Sequence, residues 1–296
     1  MIIKTKRGRI NLAPYLMLIP WFIGMAAFRA YPILASFWYS LHDYHPILGN
    51  LGFVGMDNYH RLLFRFPHFW DSVRATLFYV VFGTTMVLVS ALFIAYILNF
   101  KLKGVNFFRT AYYVPSVLGG NIAVAILWRQ VFAAWGPINV ILQFFGLEPI
   151  PWIQSVSHAP FVLIILSSWQ FGSVMLIFLA ALQNVSPSLY EAASIDGAGK
   201  IRQLFSITLP IITPVLLFNT INVLLRHFQE FNAALVITER GPLRATDFLN
   251  ILIWEYAFQR GEYGFASAMT WLLLIAIGTL ASILFMSSKY WVHYSD

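Results

Sequence analysis

Six continuous apolar runs restrict this chain to very few architectures: Leu12 to Leu41, Ala75 to Phe100, Ala111 to Phe132, Pro160 to Leu182, Leu209 to Ile237 and Ala266 to Ser287. A helix of roughly 20 mostly apolar residues crosses the roughly 30 Å of hydrocarbon in a bilayer. No water enters that layer, so every backbone N–H and C=O must find its partner within the segment, and a continuous run does that as a helix. A β-barrel would instead show short segments of alternating polarity. The expected fold is therefore an all-α transmembrane bundle of six helices. With 59% hydrophobic and 10% charged residues, and a mean hydropathy of +0.71, the chain leaves no room for a second large soluble domain.

The charges between the runs set the expected topology. Lys4, Lys6, Arg7 and Arg9 precede the first run, Lys101, Lys103 and Arg109 lie between the second and third, and Lys200 and Arg202 lie between the fourth and fifth. By the positive-inside rule these segments, and both termini, face the cytoplasm. Residues 1–11 and 291–296 are read as cytoplasmic tails and residues 12–290 as the membrane domain. The outer linkers, Asp43 to Asp71 and Glu239 to Glu262, carry mixed charge. Pro20, Pro32, Pro115, Pro210 and Pro214 are expected to start or kink helices. Trp70, Trp135, Trp152 and Trp254 sit near run ends, where indole rings favour the headgroup level.

Little in the chain suggests catalysis. There is no cysteine, and the seven histidines lack the i, i+4 pairing that presents two metal ligands on one helical face. The net charge of +7 is spread at the flanks of apolar runs rather than along a nucleic-acid-binding stripe. Gly197-Ala198-Gly199-Lys200 is no phosphate loop, because Ser194 stands where its first glycine belongs and Ile201 follows the lysine. If ATP drives this machine, another polypeptide binds it, and the chain itself holds no catalytic residue, metal or cofactor.

The linker from 187 to 210 is the most informative segment. It has the pattern of a short amphipathic helix, a glycine break and a second helical turn. Small Ala192 and Ala193 permit close docking into a partner, Glu191 offers a charge, and Gly197 supplies a turn that a side chain would obstruct. An ordinary interfacial helix satisfies the same residues equally well.

Glu191-Ala192-Ala193, three residues, Gly197, nine residues and Ile207-x-Leu209-Pro210 resembles the EAA loop of binding-protein-dependent ABC importers at every defining position. Asn11 to Tyr44, Phe53 to Tyr59, Asn99 to Pro115, Leu127 to Trp128, Trp169 to Gly199 and Phe228 to Pro242 are similar to the first permease of the oligosaccharide, maltose-type and glycerol-phosphate importers. Leu182-Gln183, Thr238, Gly241 and Pro242 favour carbohydrate within that group. Two features depart from it: the extra N-terminal spans and large periplasmic domain of maltose-type permeases do not fit here, and Arg240-Gly241 replaces the usual paired glycine. The resemblance implies a type I permease bundle in the cell inner membrane, working by alternating access. It also implies several partners: a second homologous permease, an ATPase dimer carrying ATP and Mg, an external solute-binding protein, membrane lipid and a carbohydrate substrate, with no nucleic acid. Glu191, Ala192, Ala193, Asp196, Gly197 and Ala198 would form the coupling contact with the ATPase.

The fifth run contains Asn219, Asn222, Arg226, Gln229 and Glu230. On a helix these fall within about a 100° arc. Lipid cannot face such a stripe, since an Arg or Glu at mid-membrane costs roughly 2.5–3.5 kcal/mol. Hydrogen bonds between helices return only about 0.6 kcal/mol each, so a substrate pathway explains the two charges better than helix adhesion does. Arg226 and Glu230 are spaced to pair. Trp169, Gln170 and Ser173 in the fourth run are further pathway candidates, with packing the commoner role for Trp169. Asn121 in the third run and Thr270 in the sixth could add hydrogen bonds, with packing the commoner role for a lone polar residue in a bundle. A self-sufficient ion-coupled transporter, with Arg226 and Glu230 as its coupling pair, is the alternative from another class; it predicts inverted repeats, and the two halves of the chain show none.

Overall fold

The computed structural model describes residues 2–5, 8–11, 13–100 and 103–293. Lys6, Arg7 and Lys101, read above as topology signals, lie outside the described residues, as do the side chains of Lys4 and Arg9 and residues 294–296 of the C-terminal tail. In chain order the elements are β1 (Ile2–Thr5), β2 (Gly8–Asn11), α1 (Ala13–Met25), α2 (Tyr31–Ser40), β3 (His42–His45), β4 (Gly49–Phe53), α3 (Asp57–His60) and α4 (Pro67–Leu98). They continue with α5 (Val105–Leu118), α6 (Ile122–Val131), α7 (Pro137–Phe144), α8 (Ala159–Trp169), α9 (Gly172–Gln183), α10 (Pro187–Ile195) and α11 (Lys200–Gln203). The last are α12 (Leu209–Phe228), α13 (Leu249–Trp254) and α14 (Tyr263–Trp291).

Two compact units emerge. The first comprises Met1–Arg65 and Ile253–Leu272. It contains the first span, Tyr15–Ser40, in which a π-helical turn at Ala26–Ala30 joins α1 to α2. β3 and β4 form an antiparallel hairpin with a bulge at Asp43/Tyr44. Asn58 ties that hairpin to the end of α2, its amide donating to the carbonyls of Ser40 (2.9 Å) and His42 (3.1 Å). The start of α14 joins this unit through an Arg61–Glu262 ion pair of 2.7 Å and the Trp271 indole N–H, which donates to the Ser36 hydroxyl at 3.2 Å.

The second unit, Phe66–Leu252 with Leu273–Asp296, is built around α4. The buried face of α4 alternates small and polar residues, Ser72, Thr76, Gly83, Thr84, Ala91 and Ala95, which allow neighbouring backbones to approach closely. α8, α9 and α12 pack on it. One apolar cluster joins Val87, Ala91, Ala95 and Leu98 to Met175, Phe178, Leu182, Ile212 and Val223. A second joins Tyr79, Leu163, Leu166, Ala234, Ile237 and Ile251.

Among the described residues, four helices are long and apolar enough to cross a membrane: Tyr15–Ser40, Pro67–Leu98, Lys200–Phe228 and Tyr263–Trp291. Two further spans are broken, which brings the total to six when each bent pair is one span. The continuous helix expected over Ala111 to Phe132 is instead α5 and α6, bent by 106°, and the fourth run is α8 and α9, bent by 48°. In the third run Gly119 is extended, Gly120 has φ +77°, and the Asn121 side chain caps α6 by accepting the Ala123 N–H at 3.0 Å. In the fourth, Gly172 lies so close to the backbone of Tyr112 and Tyr113 that no Cβ fits, which locks the α8–α9 break against α5. The fifth run also departs from expectation, since α12 ends at Phe228 rather than near Ile237 and Gln229 takes non-helical backbone angles.

Candidate functional site

The interrupted spans meet at one place. A cavity of about 510 Å³ is lined by Gly119, Gly120 and Asn121 from the α5–α6 break, by Ser167, Gln170 and Ser173 around the α8–α9 break, and by Arg226 and Gln229 to Ala233 at the end of α12. Tyr79 of α4 closes one side. Irregular backbone at membrane depth is tolerated only where protein buries it or water reaches it, so three coincident breaks and a polar lining mark a hydrated site.

Of the residues predicted for a pathway, Gln170, Ser173, Arg226, Gln229 and Glu230 line this cavity. Asn222 lies one turn before Arg226 and is exposed, with its amide donating to the Phe218 carbonyl at 2.7 Å. Asn219 does not join them. It shares the buried face of α12 with Val223 and His227, is 1% exposed, and its Nδ2 has no partner among the described residues. Trp169 packs on Trp128 with ring centroids 5.3 Å apart and is not part of the lining. Thr270 bonds to the Ala266 carbonyl within its own helix.

The expected Arg226–Glu230 pair does not form among the described residues. The helix stops before the second partner, so the i, i+4 geometry is lost. The Glu230 carboxylate instead accepts the backbone N–H groups of Phe231 (3.0 Å) and Ala233 (2.9 Å), capping the π-helical turn Ala234–Thr238. Sequence reasoning missed His227, which sits beside Gly83 and contacts the Thr84 hydroxyl at 2.9 Å and the Tyr79 ring. The missing side chain of Gly83 and the polar Thr84, at adjacent positions of an apolar run, were the available signal.

The 187–210 segment folds as α10, a turn and α11. Proline opens α10, and the helix closes with a Schellman motif in which the Gly197 N–H donates to the Ser194 carbonyl (3.1 Å) and the Ala198 N–H to the Ala193 carbonyl (2.8 Å). Gly197 has φ +75°, and a Cβ added there meets nothing within 4 Å. No residue of α10 is buried, so Glu191 and Ala192 stand exposed, and Ile195 is 87% exposed. Beneath them the buried Gln203 amide donates to the Ser194 hydroxyl (2.9 Å) and the Ala198 carbonyl (3.0 Å). Tyr190 adds a hydroxyl contact to Thr208 at 2.9 Å.

The sequence matches the family described as "Binding-protein-dependent transport system inner membrane component" over residues 16–290. It is 42% identical over 289 residues to the probable ABC transporter permease protein YesP of Bacillus subtilis, covering 97% of this chain and 93% of that one. It is 32% identical over 265 residues to the trehalose/maltose transport system permease protein MalF of Thermococcus litoralis, covering 89% of each. Among solved structures, a chain of a bacterial alginate ABC transporter, crystallised with an alginate pentasaccharide-bound periplasmic protein, superposes with a TM-score of 0.82 over 94% of both chains at 20% identity.

Proposed function

Because the chain belongs to the family of binding-protein-dependent transport system inner membrane components, it is a multi-pass permease subunit of the inner membrane, and we propose that it moves sugars or oligosaccharides inward through the cavity at the three span breaks. The convergence of Gln170, Arg226, Gln229 and Glu230 on that cavity carries the reading. Sugar hydroxyls need dense donors and acceptors, and these groups supply both. The trehalose/maltose permease among the relatives supports carbohydrate as the substrate class. An ion-coupled carrier is not favoured, since the Arg226–Glu230 pair it would use is not formed among the described residues and the family is one of binding-protein-dependent transport components.

In this reading a second permease completes the pathway and an ATPase dimer, carrying ATP and Mg, docks at Glu191, Ala192, Ala193, Asp196, Gly197 and Ala198. Closure of the ATPases pulls on α10, rocks the bundles outward and opens the cavity to a loaded external binding protein. Lipid surrounds the remaining faces. Replacing Asn222 or Gln229 by alanine tests the pathway: uptake should fall while subunit assembly stays intact. Unchanged uptake kinetics in both variants would leave these amides as helix adhesives. Ser194→Cys tests the orientation, and labelling by an impermeant thiol reagent added outside intact cells would reverse it.

A further inference from the structure

We propose that the cavity is built for an acidic substrate, a sugar or oligosaccharide bearing a carboxylate that Arg226 receives. This rests on the pathway reading above and deepens it. The ionisable groups of the lining are Tyr79, Arg226 and Glu230. Arg226 and Glu230 balance in formal charge but not in how they are met. One Glu230 oxygen accepts two backbone N–H groups, so fixed dipoles offset its charge and hold it toward its own turn. The Arg226 guanidinium has no hydrogen bond or ion pair among the described residues, and it stands exposed at the cavity.

A neutral sugar needs the rest of this lining but not the arginine. Asn121, Ser167, Gln170, Ser173 and Gln229 already offer neutral donors and acceptors for hydroxyls. An unpaired guanidinium within a span is costly and is expected to be met by something. A carboxylate fits its planar fork with two parallel hydrogen bonds, which a hydroxyl cannot reproduce. The cavity thus sets an unpaired guanidinium beside a carboxylate that its own turn engages, within a cup of neutral hydrogen-bonding groups.

The absence of cysteine gives a test that needs no knowledge of the natural sugar. In the assembled transporter, Ser173→Cys is labelled with an anionic and with a cationic methanethiosulfonate reagent, with Arg226 intact and with Arg226→Gln. The ratio of anionic to cationic labelling rates should be higher with Arg226 intact than in Arg226→Gln by roughly a hundredfold, the order that opposite unit charges at an assumed ~10 Å from the guanidinium give at an effective dielectric of 20. In proteoliposomes supplied with the binding protein, uronate disaccharides should be taken up in preference to carboxyl-reduced counterparts, and Arg226→Gln should remove that preference. Equal labelling by both reagents, unaffected by Arg226→Gln, would overturn the acidic substrate while leaving the pathway standing. An equal loss of acidic and neutral uptake in Arg226→Gln would overturn it too, by assigning the guanidinium to a carboxylate of the second permease. Failure of either reagent to reach Ser173→Cys would overturn the pathway reading itself.

Discussion

The loop after the fourth span and the loop after the fifth both turn the chain back sharply, and they do so with opposite chemistry. In the 187–210 loop one residue takes a left-handed conformation, and it is Gly197, for which that conformation is nearly free. The turn is then held by neutral groups, chiefly the Gln203 amide. In the loop after the fifth span Glu239, Arg240, Leu243 and Arg244 all have positive φ, in addition to Gly241 at φ +69°. Each such non-glycine residue carries a penalty of order 1 kcal/mol or more. Arg240 is at φ +77°, a conformation that glycine adopts more readily. Its side chain offers an offset that glycine lacks: Nε donates to Asp247 at 2.8 Å, while Arg244 reaches the same carboxylate at 3.0 Å. Asp247 is fully buried. The first loop is a turn that leaves its surface open to a partner, and the second is a strained turn stapled from within.

If that contrast is right, the largest effect should come from removing the staple. Asp247→Ala strands two arginine side chains, each about a quarter to a third exposed, and releases four left-handed residues. Breaking one side of a buried ion network costs about 3–5 kcal/mol, and partial solvation of the arginines puts the expected loss near 3 kcal/mol. Thermal unfolding of the detergent-purified complex reads this directly, with Asp247→Asn intermediate because it keeps acceptor capacity. Wild-type stability of Asp247→Ala would mean that the loop holds its conformation by the Thr238–Thr246 hydroxyl contact and its backbone bonds alone.

The neutral clamp of the 187–210 loop should matter less. Gln203→Ala removes three hydrogen bonds of a buried amide, to the Ser194 hydroxyl, the Ala198 carbonyl and, at 3.5 Å, the Tyr190 carbonyl, for about 1–2 kcal/mol. Because the clamp is local, amide hydrogen exchange should rise in 190–204 without a matching change in the helices that bury Phe178 and Met175. Unaltered exchange in Gln203→Ala would place the turn's stability in the Schellman bonds alone.

The two loops also differ in how far the sequence disclosed them. The helix, glycine and second turn of 187–210 were legible because each depends on local chemistry: proline at a helix start, glycine at its end, and a fixed spacing between them. The loop after the fifth span was not, since Asp247 counted only as one acid in a mixed segment, and its burial against Arg240 and Arg244 is tertiary. The same division runs through the membrane domain. Six apolar runs were visible because hydropathy registers composition, but hydropathy does not register backbone direction, so the breaks at Gly119 and Gln170 passed as continuous spans. Gly119-Gly120-Asn121 after Pro115 was a readable break signal. The end of α12 at Phe228 was not, since His227, Gln229 and Glu230 are as compatible with a polar helical stripe as with a turn. That misplaced boundary accounts for the Arg226–Glu230 pair, whereas Asn219, well inside α12, leaves the stripe because it packs on the buried face with Val223 and His227.

A stability effect no larger than that of Gln203→Ala, and more diagnostic, is expected at Gly197. An added Cβ meets nothing within 4 Å, so every non-glycine side chain here costs only the left-handed backbone, about 1–2 kcal/mol. Gly197→Ala and Gly197→Leu should therefore destabilise the free subunit about equally, whereas asparagine, which tolerates this conformation, should cost less. Coupling separates them. If an ATPase seats against this turn, leucine intrudes on the partner and alanine scarcely does. Binding-protein-stimulated ATPase activity should then be largely retained in Gly197→Ala and lost in Gly197→Leu, with basal hydrolysis surviving wherever the ATPase remains bound. Glu191→Arg should show the same loss without any backbone strain, because Glu191 is exposed and α10 buries none of its residues. Parallel losses in alanine and leucine would show that the glycine serves only the turn's own geometry. Full stimulation in Gly197→Leu and Glu191→Arg would remove the loop from the path of force and leave its open surface without the partner proposed for it.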